Sequence, residues 1–415
     1  MTAPHPDCPA HAPGAIARHA AEDFTQRYAH LRKDHPVYHD PELDLWIVAR
    51  HHDIDTVLRD RDHAFTPAHS YDPVQHISPA ATRILTQVQD VPVTASTDPP
   101  LHSRYRDALT AVWPTSASQL APWHAHIEKR ATEAATALAE QPSRRAELHR
   151  DFVHPLTSRI MADLIGVDPE DEQIVTAGSA AMADLLWAFQ QPADQQPSAH
   201  ALADLWAYCV DLVAQRRSEP RDDLTTAWLD HRDPHGTPLT DAETASTLME
   251  ILTTNAEVLP LFITATLQHL LTSGDYQQLV HHPQEIPAAV EETLRHDPPL
   301  IGWLRSTVKP VTVGSTPIPA GARLLLLMHS AAQDETHKVR EPHTFDHRRD
   351  DTPPTLNFGA GIHYCPGTQY SRLVAHHTIR ALTQALPDLT LITHNPAPRP
   401  ANLMLRRPTH LTVTW

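Results

Sequence analysis

The segment Phe358-Gly359-Ala360-Gly361-Ile362-His363-Tyr364-Cys365-Pro366-Gly367 constrains this chain more than any other. A glycine-rich loop delivers one cysteine to the start of a helix predicted from Thr368 to about Leu386. The unpaired N–H groups and positive end of that helix favour a thiolate over a thiol at Cys365. A thiolate so placed is a soft axial ligand for iron, and cysteine is one of the side chains that hold haem from its proximal side. Phe358, Gly359 and Gly361 suit a loop that must approach a flat macrocycle, because glycine adopts backbone geometries closed to other residues. A buried structural cysteine is the plainer alternative. Six fixed positions in F-G-x-G-x-H-x-C-x-G, the last being Gly367, argue against it.

This loop resembles the haem-binding signature of the cytochrome P-450 family, and the likeness continues along the chain. Glu292-Thr293-Leu294-Arg295 is similar to that family's E-x-x-R helix. Glu and Arg three apart share a helix face and can pair. The resemblance implies that Arg348, in Phe345-Asp346-His347-Arg348, closes a buried charged triad supporting the haem loop. Asp98-Pro99-Pro100-Leu101-His102-Ser103-Arg104-Tyr105-Arg106 resembles the family's D-P-P-x-H-x-x-x-R segment. His102 and Arg106 lie four apart on one face of a starting helix. The resemblance makes both haem-propionate ligands, joined by Arg305 and His363. Four donors converging on two carboxylates is what a buried dianion requires.

The resemblance further implies a mainly α fold with small β-sheets: a triangular helical domain holding haem between a long central helix and the Cys-loop helix. The cofactor would be haem b with an axial thiolate from Cys365. Electrons would come from a separate ferredoxin and ferredoxin reductase, docking where Arg104, Arg372 and Arg380 lie.

Composition fits one large domain over 1–415 with no fused reductase: no glycine/serine linker or repeat divides the 415 residues. A charge of −17 without a basic stripe argues against nucleic acid. No apolar run approaches the roughly 20 residues of a membrane span, so a cytoplasmic monomer acting on a small molecule is expected. Three cysteines, Cys8, Cys209 and Cys365, are too few for a disulfide scaffold. Cys209 shares a helical stripe with Leu205, Trp206 and Leu212, which reads as a buried apolar thiol. The 32 histidines lack zinc-site spacing and read as solvated surface.

Helical patterns recur near 101–112, 119–141, 150–166, 173–190, 199–217, 241–272, 275–281, 285–296 and 368–386, with short strands at 311–313, 323–327, 389–393 and 411–414. Thr240-Asp241-Ala242-Glu243 is a capping box opening the longest helix, about 45 Å if unbroken.

That helix departs from the family pattern A-G-x-[D/E]-T, whose acid and threonine serve proton delivery. Here the stretch is Thr254-Asn255-Ala256-Glu257-Val258. The acid is kept as Glu257, Val258 stands at the threonine position, and Thr254 offers either a substitute hydroxyl or one back-bonded to its own helix. Pro260 has no N–H for the Ala256 carbonyl, so a kink or local opening is expected beside Glu257. Two enzyme readings follow: monooxygenation of a natural-product intermediate, and oxidative coupling or another atypical oxidation of an aromatic or peptide-derived substrate. A non-catalytic haem sensor is the third. By family position the pocket draws on Tyr71, His76, Asn255, Val258, Leu259, Phe262, Ile301, Trp303, Leu403 and Met404, within segments that include Ala401.

Overall fold

The longest predicted helix forms as Asp241–Ser273 and organises the rest. The computed structural model describes residues 24–337, 339–392, 402–406 and 410–415; Cys8 and Ala401 lie outside them. The capping box closes as expected, with the Glu243 N–H donating to Thr240 Oγ1 at 3.2 Å and the Thr240 N–H to Glu243 Oε2 at 2.8 Å. Helices His154–Ile165, Glu172–Trp187, Pro192–Ser218, Ile286–His296 and Thr368–Ala385 pack around this central helix. By length and composition it would span a membrane, against the expectation that no run is long enough; 61% of its most apolar window is buried inside the protein. Its apolar residues are core. Cys209 is enclosed in the same core, where burial pushes its thiol up to about 12.

No π-turn or 3₁₀ turn opens the helix at Pro260; it runs as α-helix from Asp241 to Ser273. The proline still denies the Ala256 carbonyl its helical N–H partner. A short π-helix falls elsewhere, at His149–Val153.

The larger sheet has five strands, in spatial order Val37–Asp40, Leu45–Val48, Arg323–Leu326, Trp303–Thr307 and Phe65–Thr66. Leu45–Val48 runs parallel to Arg323–Leu326, whereas Trp303–Thr307 pairs with it antiparallel, Arg305 opposite Leu324. Residues two apart on a strand share a face. Trp303 and Arg305 therefore both turn toward the space beneath the central helix.

Candidate active site

The central helix and the Cys365 loop enclose a cavity of about 280 Å³. Glu250, Thr254, Asn255, Val258, Leu259 and Phe262 form one wall; Phe358, Gly359, His363, Cys365 and Gly367 form the other. The loop holds its own shape. The Gly359 N–H donates to the Leu356 carbonyl at 2.7 Å, and the Cys365 N–H to that of Phe358 at 2.8 Å. Gly361 has φ 66°, and a Cβ there would meet the Leu58 carbonyl oxygen at 2.6 Å. Only glycine fits.

Burial pushes the Cys365 thiol up, outweighing the lowering by the Gly367 N–H, Arg106 and the Thr368 hydroxyl. The lowering by the Gly367 N–H at the helix start is the contribution expected there, and it opposes the penalty for burying a charge.

At one edge of the cavity the four expected propionate donors converge. Arg106, Arg305 and His363 border it, and His102 stands beside His363 with ring centroids 4.4 Å apart. His102 Nε2 is buried without a hydrogen-bond partner among the described residues. Arg305 uses one nitrogen on the Leu304 carbonyl, at 2.8 Å. Burial drives its guanidinium down to about 10. Burial first, then the charges of Arg305, His102 and Arg106, push His363 down to about 3. Such crowding of donors is unfavourable unless an anion sits among them.

Beneath the loop, Arg295 donates from Nε to Glu292 Oε2 and from a terminal nitrogen to Oε1, both at 2.7 Å, with each side chain 1% exposed. The third partner is Arg349, whose Nε lies 2.9 Å from Glu292 Oε2, off the hydrogen-bond direction. The assignment to Arg348 is corrected. A pattern with two residues between Asp and Arg ends on Arg349, and the Asp346 turn sends Arg348 outward to Gln278 and solvent.

Of the expected pocket residues, Tyr71, Asn255, Val258, Leu259, Phe262 and Trp303 border the cavity. Ile301, Leu403 and Met404 do not; they pack in the apolar cluster behind Tyr71, Val258 and Trp303. His76 is exposed, and only its carbonyl is engaged, by Gln195. Of the two helix residues considered for catalysis, Thr254 takes its back-bonded alternative. The Thr254 hydroxyl faces the cavity but donates back to the Glu250 carbonyl at 2.7 Å, the usual habit of threonine within a helix. Glu257 does not border the cavity. The acid that does is Glu250, one turn before Thr254. A lone acid on the stripe shared by Thr254, Val258 and Phe262 was the available signal for it.

Comparison with known proteins agrees with this geometry. The family model described as cytochrome P450 matches residues 284–384. The vitamin D(3) 25-hydroxylase of Pseudonocardia autotrophica is 30% identical, covering 88% of this chain and 86% of that protein. The chain belongs to the cytochrome P450 family. The cytochrome P450 monooxygenase PikC of Streptomyces venezuelae is 29% identical over 91% of this chain and 87% of its own. The crystal structure of cytochrome P450 CREJ in complex with (4-ethylphenyl) dihydrogen phosphate superposes with TM-score 0.88 at 28% identity, over 94% of this chain and 96% of that one. Family and fold make the protein a haem-thiolate monooxygenase, mainly helical with small sheets. The residues present fit that cofactor: a sulfur under one wall, an apolar helix over the other, and at one edge a donor cluster with an orphaned His102 nitrogen.

Proposed function

We propose that this enzyme hydroxylates or epoxidises a small or medium natural-product intermediate, using dioxygen and electrons from a separate ferredoxin and its reductase. The observation that carries the reading is the enclosed cavity between Cys365 and the Val258 stripe, with the propionate-type donors gathered at one edge. In it Cys365 is the iron ligand, and Arg106, Arg305, His102 and His363 hold the carboxylates of the cofactor. Haem bound this way supplies activation of dioxygen. The chain supplies the walls: Leu259, Phe262 and Trp303 exclude water and orient an apolar skeleton, and Asn255 offers an amide. Relatives named as a 6-deoxyerythronolide B hydroxylase, a vitamin D(3) 25-hydroxylase and an erythromycin C-12 hydroxylase support substrates of this size.

Electron delivery fits the face of the Cys365 loop where Ile362 and Tyr364 are exposed. Of the three arginines expected to steer the donor, Arg104 is tied to Glu243 and Arg372 to Glu291, leaving Arg380 at the surface. The test is turnover with ferredoxin, reductase and candidate substrates, read by product mass. One added oxygen supports the proposal; loss of two hydrogens favours coupling, the reading that Val258 keeps open. Val258→Thr is expected to change native turnover by less than about tenfold, roughly 1.4 kcal/mol of barrier. In this reading proton delivery runs without that hydroxyl. A larger gain would show a catalyst limited by the missing group.

A further inference from the structure

Glu250, Thr254 and Val258 are spaced by four residues and so share one stripe of the central helix, and all three border the cavity. The Glu250 carboxyl is deeply enclosed, although the residue as a whole is half-buried because one side of it meets the cavity. Its Oε1 accepts the Ala95 N–H at 3.0 Å. Its Oε2 has no hydrogen-bond partner among the described residues. One turn earlier, Ser246 Oγ donates to the Val91 carbonyl at 2.9 Å. The loop through 91–95 is thus stitched to the helix at two points, which keeps the carboxyl at the cavity rather than in solvent.

The charges around it leave it uncompensated. Arg106 faces it from the helix Leu101–Val112, Tyr71 from the loop after Phe65–Thr66, and Cys365 from the haem loop. Burial raises the Glu250 carboxyl to about 7, against lowering by the Ala95 and Thr94 N–H groups and Arg106. Arg106 is the one cation in that set. It also belongs, with Arg305, to the corner that meets two propionates, where burial pushes His102 and His363 toward neutrality. Two guanidiniums balance two carboxylates. Nothing is left for Glu250.

Two other walls of the same cavity are aromatic. The Tyr71 and Trp303 rings meet edge to face with centroids 6.1 Å apart, and Trp187 backs both at 6.4 and 5.8 Å. Ring faces attract cations, and more strongly when the site is dry. A carboxylate in the same low-dielectric space acts in the same direction without direct contact.

We propose that Glu250 is a specificity-determining residue and that the substrate carries a basic or quaternary nitrogen, held between Glu250 and the Tyr71–Trp303 rings with its apolar remainder against Leu259 and Phe262. This inference rests on the haem-enzyme reading above. It departs from a purely apolar pocket, which would prefer a neutral guest.

The experiment uses ferric holoprotein whose reduced carbon-monoxide complex has first been checked; failure there overturns the haem reading, not this one. A phenylalkyl-trimethylammonium ion and its neutral isostere, with carbon in place of nitrogen, are titrated by Soret shift and by equilibrium dialysis. Neither probe has a lone pair with which to bind iron. The cation is expected to bind about tenfold tighter than the isostere. Its affinity is expected to fall as pH drops below about 7, where Glu250 takes up a proton. The isostere's affinity should stay level. E250Q should remove the preference while leaving isostere binding within about twofold. An isostere that binds as well as the cation in wild-type protein overturns the proposal, whether or not the variant folds. Equal weakening of both probes by E250Q also overturns it, since Glu250 would then serve only to tie down the 91–95 loop.

Discussion

Cys365→Ala is expected to fold and to lack the red-shifted Soret band of the reduced carbon-monoxide complex. The bonds that shape the loop come from its backbone and survive the change: Cys365 N–H to Phe358, Gly359 N–H to Leu356, and Thr368 Oγ1 to the Cys365 carbonyl at 2.7 Å. Only the sulfur is lost. It is the one thiol bordering the cavity among the described residues, and no neighbouring histidine replaces it as a thiolate-type ligand. Circular dichroism should therefore match wild type while the spectrum changes completely. Retention of the band in the variant would falsify the ligand assignment.

Most helices were legible because their periodic apolar faces are long. The helix at 101–112 forms as Leu101–Val112 and that at 275–281 as Asp275–His281. The strand pairing was less legible. Trp303–Thr307 joins partners from near 65 and 325, and nothing local states that Leu45–Val48 runs parallel to Arg323–Leu326. The haem loop could be read from sequence because its function demands glycine at a left-handed φ and a cysteine at a helix start. Pocket residues were harder to place. Ile301 lies two residues before Trp303, yet it packs with Leu403 and Met404 in the apolar cluster behind the cavity wall, and side-chain direction depends on pairing that sequence spacing does not fix. Pro260 is a related case: a missing N–H is a local fact, whereas whether the helix stops there is decided by its packing, and it runs on to Ser273.

The second large effect is expected at Glu292→Ala, which should destabilise the protein by roughly 3–5 kcal/mol. Against a typical total of about 5–15 kcal/mol, that is enough to leave little holoprotein. Glu292 accepts two bonds from Arg295, one from the Asp346 N–H at 2.9 Å, and the Arg349 contact. Removing it leaves Arg295, 1% exposed, without a carboxylate partner, and Arg349, 4% exposed, with Asp351 alone. The damage also reaches the site. Arg295 donates to the Pro342 and Thr344 carbonyls, while Asn357 Nδ2 ties the haem loop to the Leu294 carbonyl on the same helix. Loss of haem should therefore accompany the fall in urea midpoint. Arg349→Ala should cost less, roughly 1–3 kcal/mol, because Arg295 still neutralises the carboxylate. Arg348→Ala, at a side chain 60% exposed, should stay within about 0.5 kcal/mol. If Arg348→Ala proves as damaging as Arg349→Ala, the triad has been assigned to the wrong arginine.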